Sequence, residues 1–132
     1  MENSNQQLLK SFQVSWAKNK YWVMAHSQQA YNEIRELAKG NNWTQIKQER
    51  YEKLLEELET ITPTDKTLRV AYQHIWGYFK KRATQEEKNQ YKLLIEGTQL
   101  EITGIEIFLR NLASKYQVSY LLNMRWNFGK EE

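Results

Sequence analysis

The chain has 132 residues, no cysteine and two histidines, His26 and His74. Each histidine sits in a run that mixes hydrogen-bonding and apolar side chains. One run is Lys20-Tyr21-Trp22-Val23-Met24-Ala25-His26-Ser27. The other is Gln73-His74-Ile75-Trp76-Gly77-Tyr78-Phe79-Lys80-Lys81. An imidazole titrates near neutrality, so either histidine suits ligand hydrogen bonding or general acid–base work. A metal site is poorly supported: neither histidine has Asp, Glu or His three or four residues away on its helix, and further ligands would have to come from other helices. Ser27 next to His26 could be read as nucleophile and base. Adjacent residues on a helix point in different directions, and Ser27 is better explained as a helix cap. There is no G-x-S-x-G, no phosphate-cradling glycine loop and no H-E-x-x-H. Buried imidazole, amide and hydroxyl groups without partners cost about 1–3 kcal/mol each. The two runs are therefore expected to face each other. His26, Ser27, Gln73, His74 and Tyr78 would line one pocket or polar network, with Lys20 and Lys81 at its rim.

Helical periodicity dominates the elements that must hold these residues. Leu68, Tyr72, Ile75 and Phe79 fall on one stripe at about 100° per residue, which predicts a central helix from Asp65 to Arg82. Its opposite side carries Val70, His74, Gly77 and Lys81. A glycine inside a helix costs about 1 kcal/mol relative to alanine, so Gly77 suggests close approach of a backbone or ligand and a helix packed on two sides. Lys80-Lys81-Arg82 would close this helix, where cations favour the dipole. The functional alternative is phosphate contact, with Tyr78 or Trp76 stacking on a base.

The first helix opens at the Ser4 and Gln7 capping pair and carries Leu8, Leu9, Phe12, Trp16 and Val23. Ser27 caps a second helix that ends at Gly40. A third spans about Thr44 to Thr60, with Ile46, Tyr51, Leu54, Leu55, Leu58 and Ile61 as its apolar positions. Thr64 caps the central helix, and Thr84 with Glu87 opens a fifth that ends at Gly97. A sixth follows from Ile102, its start weakened by Thr103-Gly104 and properly placed near Ile105. Val118 to Trp126 reads as one short docking helix. No stretch alternates with period two for long enough to propose a sheet. The expectation is all-α: residues 1–132 as a single compact bundle of about six or seven helices.

Composition agrees. Aromatic residues make up 13%, with five Trp and eight Tyr, which favours a packed core. One proline and five glycines suit helices better than a many-turned β fold. The absence of cysteine excludes disulfides, thiolate metal sites, iron–sulfur clusters and cysteine nucleophiles. The polar start lacks the basic and apolar regions of a signal peptide, and no apolar run approaches the roughly 20 residues that span a bilayer. A cytoplasmic protein without membrane contact is expected. Net charge is a mild +3. Its distribution is uneven: Lys66, Arg69, Lys80, Lys81, Arg82, Lys88 and Lys92 stand against Glu86 and Glu87 alone.

Three stretches resemble the bacterial YbgA-like family. Lys20 to Ser27, with Tyr31 after it, resembles the family's K-Y-x-x-x-A-H-S segment. Gln73 to Lys81 resembles its Q-H-x-x-G-Y-F-K-K. Lys115-Tyr116 with Tyr120-Leu121-Leu122 resembles its K-Y-x-x-x-Y-L ending. The resemblance implies an all-helical domain of unassigned function. Some relatives carry it fused to an iron–sulfur, thiouracil-desulfurase-like domain, which by association suggests a role near modified nucleobases or RNA. Thr67-Leu68 stands where many relatives have Arg-His, and Glu101 and Ile105 where many have prolines. The resemblance does not extend to any ligand contact made by those features.

The function expected from all this is a non-catalytic nucleotide- or RNA-binding accessory protein linked to modified-nucleobase metabolism. It would need no cofactor and could act beside a partner such as a desulfurase-like enzyme. The alternatives are a small enzyme using His74 or His26 as general acid or base, and a protein–protein adaptor.

Overall fold

The computed structural model describes residues 4–129. They form seven α-helices and no strand: α1 (Ser4–His26), α2 (Gln28–Ala38), α3 (Gln45–Leu58), α4 (Asp65–Trp76), α5 (Gln85–Glu96), α6 (Ile102–Lys115) and α7 (Ser119–Leu122). A single 3-10 turn, Lys39–Asn41, follows α2.

The caps read from the sequence set most boundaries. The Ser27 hydroxyl accepts from the Ala30 N–H at 3.0 Å, and Thr44, expected as the first residue of the third helix, is instead its cap and accepts from the Lys47 N–H at 3.3 Å. Thr84 and Glu87 form a reciprocal capping box, as do Thr64 and Thr67. Gly40 takes φ 77°, the left-handed conformation that ends α2. Ser4 is already helical, so the cap of α1 falls outside the described residues. α6 starts at Ile102 rather than near Ile105. Its first turn is closed by the Ile105 N–H on the Glu101 carbonyl at 2.9 Å, and Leu94 of α5 packs over Gly104.

The centre of the molecule is the end of α1, not α4. Tyr21 to His26 are all buried, so the last turns of α1 are interior on every side. α1 as a whole packs on α4, α2 and α3. α4 is two-faced: Leu68, Ala71, Tyr72, Ile75 and Trp76 are buried, while Gln73 and His74 are exposed. α4 also stops at Trp76. Residues 77–82 continue as turns closed mainly by bonds to the third carbonyl back, such as Arg82 to Phe79 at 2.8 Å. Lys80, Lys81 and Arg82 therefore do not sit on a helix terminus. Gly77 is exposed, and the atoms nearest a Cβ there are carbonyl atoms of its own preceding turn, His74 O at 3.1 Å, rather than those of a second element. Ile46, expected in the core of α3, is 79% exposed.

Aromatic contacts join the helices. Phe12 stacks on Trp43 at 3.9 Å and meets Tyr51 edge-on at 4.8 Å, linking α1 to α3. Trp76 lies flat on Tyr91 at 4.3 Å, linking α4 to α5. Two polar ties complete the frame. Arg69 of α4 donates to the Ile95 and Gly97 carbonyls at 3.0 and 2.6 Å, satisfying the end of α5. Glu87 at the start of α5 accepts from Lys115 and Tyr116 at the end of α6, and from the Thr84 N–H at 2.9 Å.

The polar tie at the base of the core is Glu106, 5% exposed on α6. Its carboxylate accepts from the Tyr72 hydroxyl at 2.7 Å, the Asn127 N–H at 2.9 Å and the Phe128 N–H at 3.0 Å. α7 is four residues long rather than reaching Trp126: the Arg125 N–H bonds to the Lys18 carbonyl rather than to a carbonyl of its own turn, and beyond it Asn127 turns to φ 62°. Arg125 and Trp126 are held in the same segment, through Arg125 N–H to Lys18 O and Trp126 Nε1–H to Leu121 O, both at 2.9 Å.

Two outcomes follow. Glu106→Gln keeps the shape but points an amide NH2 at a donor, and should lower stability by at least about 2 kcal/mol in urea unfolding. A change within about 0.5 kcal/mol, the usual range for surface sites, would show that the carboxylate is not holding the C-terminal segment. Glu87 is lowered to about 2 by its hydrogen bonds to Lys115, Tyr116 and the Thr84 amide. A depressed carboxylate contributes stability above its ordinary range and loses it as pH falls through the folded value. The stability gap between wild type and Glu87→Gln should therefore be full at pH 6 and close between about pH 4.5 and 2. A gap independent of pH would contradict the ion pair.

Candidate functional site

α1 decides which of the expected site residues can meet. Tyr21 and His26 are five positions apart, which is about 140° around a helix. Tyr21 turns toward the end of α4, where its hydroxyl shares a 3.1 Å hydrogen bond with that of Tyr78. His26 turns the other way with Trp22, its ring 4.0 Å from the indole. Its Nδ1–H donates to the Trp22 carbonyl at 2.7 Å.

The seven candidates consequently fall in three places, and the single shared pocket expected from the sequence does not form. Lys20 and Tyr78 belong to the face around Tyr21. His26 lines a groove on another side of α1. Ser27 is used as the cap of α2. Gln73, His74 and Lys81 are exposed on the outer face of α4 and the turn after it. The His74 Nδ1–H donates to the Val70 carbonyl at 2.9 Å, a bond internal to its own helix. No group of three His, Asp or Glu among the described residues is placed to hold a metal ion.

The first face is a tyrosine cluster. Tyr21 meets Tyr78 and Tyr120 edge-on at 6.3 and 6.5 Å, and Tyr78 lies roughly parallel to Tyr120 at 6.2 Å. Tyr21 is buried; Tyr78 and Tyr120 are 38% and 37% exposed. Burial first, then the bond to Tyr78, pushes the Tyr21 phenol far up, and burial raises Tyr120 as well. Each resembled stretch supplies one ring: Tyr21 from the first, Tyr78 from the central one, Tyr120 from the last. Lys20 stands over the Tyr21 ring at 5.6 Å, and Arg35 over Tyr31 at 5.8 Å. The Lys20 ammonium is lowered, first by burial and then by Arg35. Among the described residues neither cation has an ion-pair partner.

The second feature is a groove of about 1170 Å³ between the end of α1, the first turns of α6, the α3–α4 connection and the C-terminal segment. Its aromatic side is Trp22, Trp126 and Phe128. Tyr72, Phe128 and Trp126 form a continuous stack at 5.4 and 5.8 Å, with the Arg110 guanidinium 5.8 Å from the Trp126 ring. Arg125 lies 3.7 Å over Trp22 and donates to Glu59 at 2.8 Å and Asn19 at 3.3 Å. Sequence reasoning passed over Glu106, Arg110, Arg125, Tyr21 and Tyr120. Glu106 had a signal: an acid on the apolar stripe of Ile102, Ile105 and Leu109. Tyr120 stood in a quoted motif. Arg110 and Arg125 had none, since only the fold of residues 123–129 brings them to one groove.

No helix among the described residues is long and apolar enough to cross a membrane. No curated protein and no solved structure matches the chain. One family does, over residues 20–126, and its description is a protein of unknown function. That match is consistent with the YbgA-like resemblance without itself naming that family. It includes all three tyrosines of the cluster and most of the groove, and it places the chain in the DUF1722 family.

Proposed function

We propose that this protein is a non-catalytic accessory protein that binds single-stranded RNA or nucleotides through the face built by Tyr78 and Tyr120. The carrying observation is that two exposed, roughly parallel tyrosine rings share the buried Tyr21 with Lys20, which stands over that ring and feels Arg35, and that neither cation has a carboxylate partner among the described residues. Base stacking on aromatic rings is sequence-tolerant, and cations beside the rings recognise phosphate. Lys20 and Arg35 repel one another, and an anion between them relieves that repulsion. Exposed Lys80 and Lys81 follow Tyr78 after the buried Phe79 and extend the positive charge.

Acid–base chemistry has less support. Each histidine uses Nδ1 on a carbonyl of its own helix, which is a structural use of that nitrogen. The link to modified-nucleobase metabolism, and to a desulfurase-like partner, rests on the family resemblance alone.

Fluorescence anisotropy with a labelled single-stranded oligoribonucleotide tests the reading. Affinity should fall with salt by a log–log slope of about 0.7 per phosphate contacted. Tyr78→Ala and Tyr120→Ala should each lose about 1–3 kcal/mol of binding, the usual worth of one base–aromatic stack. Lys20→Glu should weaken binding and flatten the slope. Salt-independent binding, or full binding by Lys20→Glu and Tyr78→Ala, would reject this face.

A further inference from the structure

None of the tyrosine-face residues lines the groove beside His26, and its chemistry is different. Two of its charges are already met by each other, Glu59 and Arg125. A third, Glu106, is turned inward onto Tyr72 and two backbone amides. Arg110 is left: its guanidinium is exposed, makes a π contact with Trp126, and has no ion pair among the described residues. The lips of the groove are apolar and open, with Ile61 44% and Ile107 55% exposed. Isolated exposed isoleucines are ordinary on a surface, but these two line the same aromatic groove and are available to a ligand in it. The volume, about 1170 Å³, lies just above the roughly 300–1,000 Å³ typical of small-molecule sites and is far more than one inorganic anion fills.

We propose that this groove is a binding site for a small organic anion with a planar aromatic body. The acid group pairs with Arg110, the only charge of the described lining set that has neither a carboxylate nor a buried donor set facing it. The planar body lies between the Ile61 and Ile107 lips against the Trp126 edge of the stack. Arg125, fixed by Glu59 and Asn19 on Trp22, forms a rigid wall and keeps its charge near the anion. A carboxylate and a phosphate monoester satisfy this chemistry equally.

The test is a nuclear magnetic resonance titration of the full chain, following the Trp126 indole N–H and the Gly129 amide. The probes are 2-naphthoate, adenosine monophosphate and inorganic phosphate. Saturable shifts with 2-naphthoate or the nucleotide, weakened at least tenfold in Arg110→Gln and unchanged in Tyr78→Ala, support the site. The stronger of those two probes identifies the acid. Arg110 is exposed, so the variant should fold, and its unperturbed spectrum checks this. Absence of saturable shifts with both aromatic probes, or equal affinity in Arg110→Gln, overturns the proposal. Inorganic phosphate binding as tightly as the nucleotide overturns the aromatic part of it.

Discussion

A buried carboxylate without partners destabilises a fold by several kcal/mol, so Glu106 can sit inside this protein only if donors are brought to it. They come from two distant parts of the chain. Tyr72 belongs to α4, and the Asn127 and Phe128 amides belong to the segment after α7. One side chain on α6 thus fixes the register of α4, α6 and the C-terminal segment together. Phe128 is pressed flat on Tyr72 and Trp126 on Phe128 by the same arrangement. No buried side-chain nitrogen or oxygen among the described residues lacks a partner, so the polar interior is closed as well as locked.

Both candidate sites hang from this lock. α4 leads straight into Tyr78, and α6 leads through the Glu87–Lys115 tie into α7 and Tyr120. The groove takes its aromatic floor from the segment that Glu106 holds. Between the two lies the interior end of α1, which sends Tyr21 to one and His26 to the other. The buried helix end is therefore a partition. It keeps a wet, cationic tyrosine face apart from a concave, indole-lined groove, and the two are suited to different ligands.

Helix positions and caps were legible because they depend on near neighbours. Ser27, Thr44, Thr64, Thr84 and Gly40 each act within one turn of the chain. Thr67 and Leu68, where many YbgA-like relatives carry Arg-His, complete a cap and fill the core. What the sequence concealed depends on contacts between distant parts of the chain. The hydrogen-bonding potential of His26 and His74 suggested that they meet, but each satisfies Nδ1 on its own helix. Gly77 suggested a close contact, yet it marks the change from helix to turns. Tyr21 and Tyr120 were quoted as parts of motifs without a role, because nothing local says that residues 21, 78 and 120 converge. Val118 to Trp126 carried helical character that a distant contact overrides, the Arg125 amide bonding to Lys18 on α1.

In the proposed function, the tyrosine face, and not the groove or the helix surfaces, contacts nucleic acid. Ultraviolet crosslinking of wild-type protein to a uridine-rich single-stranded RNA, with the adduct mapped by mass spectrometry, tests it most directly. Adducts on Tyr78 or Tyr120 are the predicted result. Adducts confined to α3, α5 or the segment 123–129, or no adduct at all at saturating RNA and low salt, would contradict it.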